Sequence, residues 1–227
     1  MAESESDMDV AWPPDPAELD GFPARSLNEG RTIYRLHPRA LGPFWFASTP
    51  EDGPGGNRFD LVPPRGASYW ALEPVIAVLE TLARRPVRLI PGELIDRFSL
   101  TAAPLPRALE RVANLPVKAA RRFGLTAEIH TTTNRRLTRA WSAALDRAGF
   151  PAVLALPRHD VTGRHRTLTL WGLAGEHPPY GWDWQTTASE GGTVAADLRR
   201  WGITVVPIPF DVPVVPWPGG DGSTVAR

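Results

Sequence analysis

Hydrophobic positions along this chain recur with two different periods. Leu72, Val75, Ile76, Leu79 and Leu82 follow one another at three- and four-residue steps, the spacing that gathers side chains on one face of an α-helix. Pro74 opens that block, where a missing N–H costs nothing. A second helical block runs from Asn134 to Ala148, with Leu137, Trp141, Ala144 and Leu145 on one face. Asn134 is placed to cap it and Gly149 to stop it. Thr193–Trp201 and the shorter Pro106–Val112 also read as helices. Seven other runs are rich in β-branched and aromatic residues and read as strands: Thr32–Leu36, Ser68–Leu72, Pro86–Ile90, Leu94–Leu100, Ala152–Leu156, Thr167–Trp171 and Ile203–Ile208. Short strands mixed with helices, without regular β–α alternation or an internal repeat, predict an α+β domain.

The ends lack either period. Residues 1–24 are acidic and proline-rich and are expected to form a flexible leader, ending in a docked Trp12 or Phe22. Residues 25–208 form the expected domain, long enough to bury a real core. Residues 209–227 make a Pro/Gly-rich tail. The start of the chain is acidic and has no apolar segment of the kind a signal peptide needs. No apolar run approaches the ~18 residues of a membrane helix. These features predict a cytoplasmic protein with no membrane partner. The chain has no cysteine, so disulfide scaffolds and thiolate zinc sites are excluded.

Charge changes the picture more than composition does. The first twenty residues hold seven acidic groups and no basic one, so with a formal net charge of zero the remainder carries +7. A positive folded part suits an anionic ligand. Nine basic residues against three acidic ones lie between Arg107 and Arg147, including Arg121, Arg122, Arg135, Arg136 and Arg139. No interleaved aromatic platform accompanies them, so a solvated face or a partner surface explains them better than nucleic acid.

Candidate chemistry concentrates between residues 31 and 80. Arg35 closes the strand run Thr32–Leu36 and alternates with Tyr34 and Leu36, so it faces away from them, toward solvent or a cleft. Arg58 follows the glycine pair Gly55-Gly56 in a Gly/Pro loop, Tyr69 lies in the next strand, and Glu80 in the helix after it. Arginine forks match phosphate oxygens bidentately, and a carboxylate steadies the positive charge that develops on a ribose as its glycosidic bond breaks. Taken alone, each residue has a plainer reading. Glu80 pairs with Arg84 on an exposed helix face and Arg58 caps its loop; Tyr69 is simply a core residue, or Trp70 is the inward one of the two. His159, Asp160 and His165 lack a third partner at metal-ligand spacing, so no metal is expected.

The order Tyr34-Arg35, Gly55-Gly56 with Arg58, Tyr69, then Glu80 resembles the RES-domain family, the NAD-degrading toxins of bacterial toxin–antitoxin pairs, whose fold is similar to ADP-ribosyltransferases. The resemblance covers about Arg31–Arg158. It implies an ADP-ribosyltransferase-like mixed β core with flanking helices. It also implies an enzyme that cleaves the nicotinamide–ribose bond of NAD, with water or phosphate as acceptor and no cofactor beyond NAD as substrate. On this reading Arg35 and Arg58 hold NAD phosphates, Tyr69 lines the nicotinamide side and Glu80 is the catalytic carboxylate. A helix-turn-helix antitoxin is the implied partner. The chain departs from the family pattern at three points: Asn57 separates the glycine pair from Arg58, Asp60 replaces an asparagine, and Ala155–Arg158 holds no serine. The alternative is a RES-like binding or regulatory protein of little or no turnover, or an arginine-rich nucleic-acid binder.

Overall fold

A computed structural model of the chain describes residues 10–53, 55–82 and 89–207. Its frame is an eight-stranded mixed sheet. In chain order the strands are β1 (Ala24–Leu27), β2 (Thr32–Pro38), β3 (Trp45–Phe46), β4 (Arg65–Ala71), β5 (Leu89–Pro91), β6 (Phe98–Pro104), β7 (Leu109–Asn114), β8 (Ala152–Ala155), β9 (Thr167–Leu173), β10 (Gly175–Glu176), β11 (Thr187–Glu190) and β12 (Thr204–Val206). The large sheet runs β1-β7-β8-β9-β4-β2-β6-β11, and β10-β3 and β12-β5 form two small ribbons. The helices are α1 (Pro74–Leu82), α2 (Gly92–Ile95), α3 (Arg135–Arg147) and α4 (Ala195–Arg200). This is the α+β architecture that the pattern predicts.

Strand register sorts the side chains into layers. Ala67, Tyr69 and Ala71 of β4 stand opposite Trp171, Thr169 and Thr167 of β9, so all six share one face. On that face α3 packs Leu137, Trp141, Ala144 and Leu145 over Ala67, Val153, Ala155 and Trp171. Farther along, α1 packs Ile76 and Leu79 over Leu36 and Ala71. The other face buries Ile33, Trp70, Leu154, Leu168 and Leu170 beneath Phe44, Trp182 and Trp184. The two helices on the first face leave a space between them, and that space becomes the site.

Several expectations change. Pro106–Val112 is not a helix: Leu109–Asn114 is strand β7, antiparallel to β1 and parallel to β8. Leu105, Leu109 and Val112 have helical spacing, but two strand partners satisfy the backbone more completely than one helical turn would. Leu94 falls in the short helix α2, so only Phe98–Leu100 of the predicted Leu94–Leu100 strand is extended, and it continues to Pro104. The leader reading fails from Val10 onward. Val10, Leu19 and Phe22 are buried, Phe22 packs on Phe123, Trp141 and Phe150, and the Trp141 indole donates to Ala11 O at 2.9 Å. Of the two aromatic anchors, Phe22 docks while Trp12 is 54 % exposed. Residues 1–9, the stretch holding Arg84 and most of Pro86–Ile90, Ile208 and the tail 209–227 lie outside the described residues.

Candidate functional site

The site begins with a split in the sheet. β2 stays in register with β6 from Thr32/Pro104 to Pro38/Phe98, and β4 with β9 from Arg65/Leu173 to Ala71/Thr167. Between β2 and β4 the register holds only at Tyr34/Ala71. Beyond it the strands part, and the segment after β3 enters the gap, where Ala47 bridges Ala67 through two backbone hydrogen bonds of 2.9 and 2.7 Å. Arg35 lies just past the fork. Its Nη1 donates to Pro43 O (2.6 Å), Trp45 O (2.8 Å) and Ser68 Oγ (2.6 Å). One guanidinium nitrogen thus ties the inserted segment to both parted strands. Burial pushes the Arg35 pKa down to about 10, which leaves it fully charged at neutral pH.

Arg58 is presented by a loop organised around a buried carboxylate. Asp60, 2 % exposed, accepts hydrogen bonds from Tyr69 Oη (2.7 Å), Thr49 Oγ1 (2.7 Å) and the Asn57 backbone N–H (2.7 Å). Tyr69 Oη in turn accepts the Phe59 N–H at 3.1 Å. The tyrosine hydroxyl therefore fixes the loop, while its ring stands in the cleft; burial and Asp60 together raise its pKa well above the ordinary value. Gly56 is required here: its φ is +77°, and a Cβ would fall 2.2 Å from Thr49 Oγ1. Arg58 Nη1 donates to Ile129 O (2.9 Å) and Thr132 O (3.1 Å), just ahead of α3. Its Nη2 is buried without a hydrogen-bond partner. Burial first, then the like charges of Arg135 and Arg158, push its pKa down to about 10.

Glu80 comes from the last turn of α1. The Arg158 backbone N–H donates to its Oε1 at 2.8 Å, which ties the carboxylate to the loop following β8. Burial raises its pKa, against the opposing pull of His159, the Arg158 and His159 backbone N–H groups and Arg58. The same loop is held from behind: His130 Nδ1 accepts the Leu156 N–H at 3.3 Å, so its proton sits on Nε2. Burial pushes His130 down to about 4, keeping it neutral.

These parts enclose one cleft of about 530 Å³, lined by Arg35, Arg58, Tyr69 and Glu80 together with Arg135, Arg158 and His159. All four residues singled out in the sequence meet in it. Tyr69 rather than Trp70 faces the α1–α3 side; Trp70 packs in the opposite layer with its indole on Ser68 Oγ. The family serine has no counterpart at Ala155–Arg158, but Thr167 and Thr169 of the adjacent strand β9 line the cleft. His159, Asp160 and His165 do not converge on a common point: Asp160 accepts from the backbone N–H and hydroxyl of Thr162 and from the backbone N–H and Nδ1 of His165, and so closes its own loop. Sequence reasoning missed Asp60 as an organiser and His130 altogether. It filed Arg135 under a surface cluster, although an arginine at the first position of a helix, where acidic groups are favoured, is a readable anomaly.

Comparison with known proteins bears on the family and the fold. The RES domain family model matches residues 32–199. A solved structure, the Mycobacterium tuberculosis MbcT–MbcA toxin–antitoxin complex, contains a chain of similar fold, with a TM-score of 0.58 and 16 % identity, covering 82 % of this chain and 96 % of that one. No curated protein matches.

Proposed function

Because this chain belongs to the RES domain family, we propose that it binds NAD in the cleft between α1 and α3 and breaks the nicotinamide–ribose bond. The observation that carries this reading is the anchored Glu80 carboxylate sharing one cavity with Arg35, Arg58, Arg135 and Arg158. NAD presents the matching pattern, an anionic pyrophosphate at one end and a ribose bearing a cationic leaving group at the other.

In the proposed reaction the bond between ribose C1′ and the nicotinamide nitrogen breaks, and its electron pair leaves with neutral nicotinamide. Positive charge spreads over C1′ and the ring oxygen. The ionised Glu80 carboxylate lies against that charge, favouring the transition state over the ground state. Arg58 holds the pyrophosphate; Arg35, to which the resemblance also gives a phosphate, instead spends its Nη1 on Pro43 O, Trp45 O and Ser68 Oγ and fixes the inserted segment beside the cleft. An oxygen of water or phosphate then bonds to C1′ and gives up its proton. Held on a backbone N–H, Glu80 needs no reorganisation as charge develops. The family serine hydroxyl is missing, which on the scale of one neutral hydrogen bond, about 0.5–1.5 kcal/mol, slows the reaction about tenfold without removing it.

The test is to incubate purified protein with NAD and measure nicotinamide release. Wild type is expected to release it slowly and Glu80→Gln not at all, with both equally folded. A wild-type protein that neither binds nor consumes NAD at high concentration would return the chain to a binding or regulatory role. The solved neighbour is a toxin bound to an antitoxin, and we extend the reading to a protein partner of that kind, of helix-turn-helix type. Co-purification with the product of an adjacent small gene tests it.

A further inference from the structure

The cleft holds more positive charge than its architecture employs. Arg58 spends Nη1 on two carbonyls, yet its Nη2 is buried and unpartnered. Arg135 Nη1 is also buried without a partner, as is Nη1 of Arg139 one turn further along α3. Arg158 has its backbone N–H on Glu80 while its side chain lines the cleft. Among the described residues none of these four arginines makes an ion pair. The nearby carboxylates are committed elsewhere: Asp60 to Tyr69, Thr49 and Asn57, and Glu80 Oε1 to the Arg158 backbone. Arg135 and Arg158 both press on Arg58, and Arg158 and Arg139 on Arg135.

Such an arrangement opposes folding in two ways. Buried N–H donors without acceptors are rare because each has given up its water. Arg135 also opens α3, where the helix dipole favours negative groups and disfavours cations. One change would relieve both strains at once: a multivalent anion in the cleft that Arg58, Arg135 and Arg158 all line. A phosphate group fits, with several acceptor oxygens for planar N–H forks.

We propose that Arg135 and Arg158 complete, with Arg58, an anion subsite in the cleft that takes a phosphate of the ligand, apart from the structural anchor made by Arg35. The assignment of that phosphate to NAD rests on the function proposed above; the subsite itself rests on the cleft the three arginines share and on the unpartnered nitrogens of Arg58 and Arg135.

Calorimetric titration of wild type, Arg135→Gln, Arg158→Gln and Arg136→Gln with inorganic pyrophosphate and, separately, with NAD tests it, alongside unliganded melting temperatures. Arg136 is exposed on the same helix and outside the cleft, so its variant controls for charge alone. Wild type should bind pyrophosphate. Arg135→Gln and Arg158→Gln should each weaken it by about tenfold or more, while Arg136→Gln binds as wild type does. Arg158→Gln keeps the backbone N–H on Glu80, so it remains informative if Arg135→Gln folds poorly. Arg135→Gln should melt no lower than wild type, a result a merely structural arginine would not give. Arg135→Lys should recover only part of the affinity, having charge but no fork. Pyrophosphate binding without NAD binding keeps the subsite and removes the NAD reading. NAD binding that both glutamine variants leave intact removes the subsite and keeps the NAD reading. Equal losses in Arg135→Gln and Arg136→Gln, or no pyrophosphate binding by wild type, overturn the subsite.

Discussion

At the scale of single residues, the proposed function divides the cleft into groups that would act on a ligand and groups that hold them in place. Arg58 is of both kinds, since one nitrogen grips the main chain ahead of α3 and the other has no partner. Arg58→Lys keeps the charge and loses both arms, so NAD affinity measured by calorimetry should fall by about 1.5–3 kcal/mol. Asp60 holds but does not touch the cleft's contents. Asp60→Ala strips the loop of its acceptors and should raise KM for NAD far more than it lowers kcat, whereas Asp60→Asn, which keeps one carbonyl acceptor, should lie between it and wild type. The pH dependence of turnover follows from Glu80. Its pKa is raised by burial and in the proposed reaction the ionised form is the active one, so activity should be present above that raised value and be lost as pH falls through it. The acidic limb of the rate profile should therefore stand above the range of an ordinary glutamate.

At the scale of elements, the N-terminal segment is the clearest test of packing. Leu19 is fully buried and Phe22 nearly so, both against α3 and its neighbours. Burying side chains of this size contributes about 1.5–3 kcal/mol each. Deleting residues 1–23 should thus lower the melting temperature by many degrees, and Leu19→Ala alone should cost about 2–5 kcal/mol in urea unfolding. The sequence does not announce this docking because the three apolar anchors have no regular period: Val10, Leu19 and Phe22 reach the core from a chain that packs on α3 rather than from a long helix or strand. The edge strands β1 and β11 escaped notice for a related reason. Every residue of β11 is exposed, and β1 buries only Leu27, so neither has the alternation that a half-buried strand prints into sequence.

At the scale of the whole molecule, the site exists because the sheet divides. Seven-residue strands β2 and β4 could have paired along their length; instead the segment after β3 enters between them, held by Arg35. Glu80 from α1, Arg58 from its loop, and Arg158 from the loop following β8 then meet over the gap. The stability of this assembly should depend on pH through His130. Its folded pKa, about 4, lies below the ordinary 6.5, so unfolded chains take up a proton that folded ones refuse. The stability it contributes is complete above pH 6.5 and is lost as pH falls toward 4. Between pH 7.5 and 5 the unfolding free energy should drop by on the order of 2 kcal/mol on this account, and the drop should shrink in His130→Asn, which keeps an acceptor for Leu156 N–H but does not titrate. His37, also depressed by burial, acts in the same direction.

What the sequence determined by itself is the set of elements with strong periodicity and the identity of the residues that meet. The stripe of α1, the cap and stop of α3, and the strands around Tyr34, Tyr69, Val153 and Leu168 all follow from local spacing and chain chemistry. Asn134 does accept the Leu137 N–H, and Gly149 does end the helix with a positive φ. Arg35, Arg58, Tyr69 and Glu80 were legible because their order matches a family, and their common cleft agrees with that order. Tertiary structure alone decided the rest. Leu109–Asn114 became a strand because two neighbours offered it hydrogen bonds; Asp60 became an organiser because Tyr69 and Thr49, eleven residues apart from it at most, fold back onto one carboxylate. Arg135 left the surface cluster for the cleft because the start of α3 lies against the Arg58 loop. Periodicity records which face of an element is buried, but which charges are brought together depends on distances through space, and those arise only when the sheet has closed.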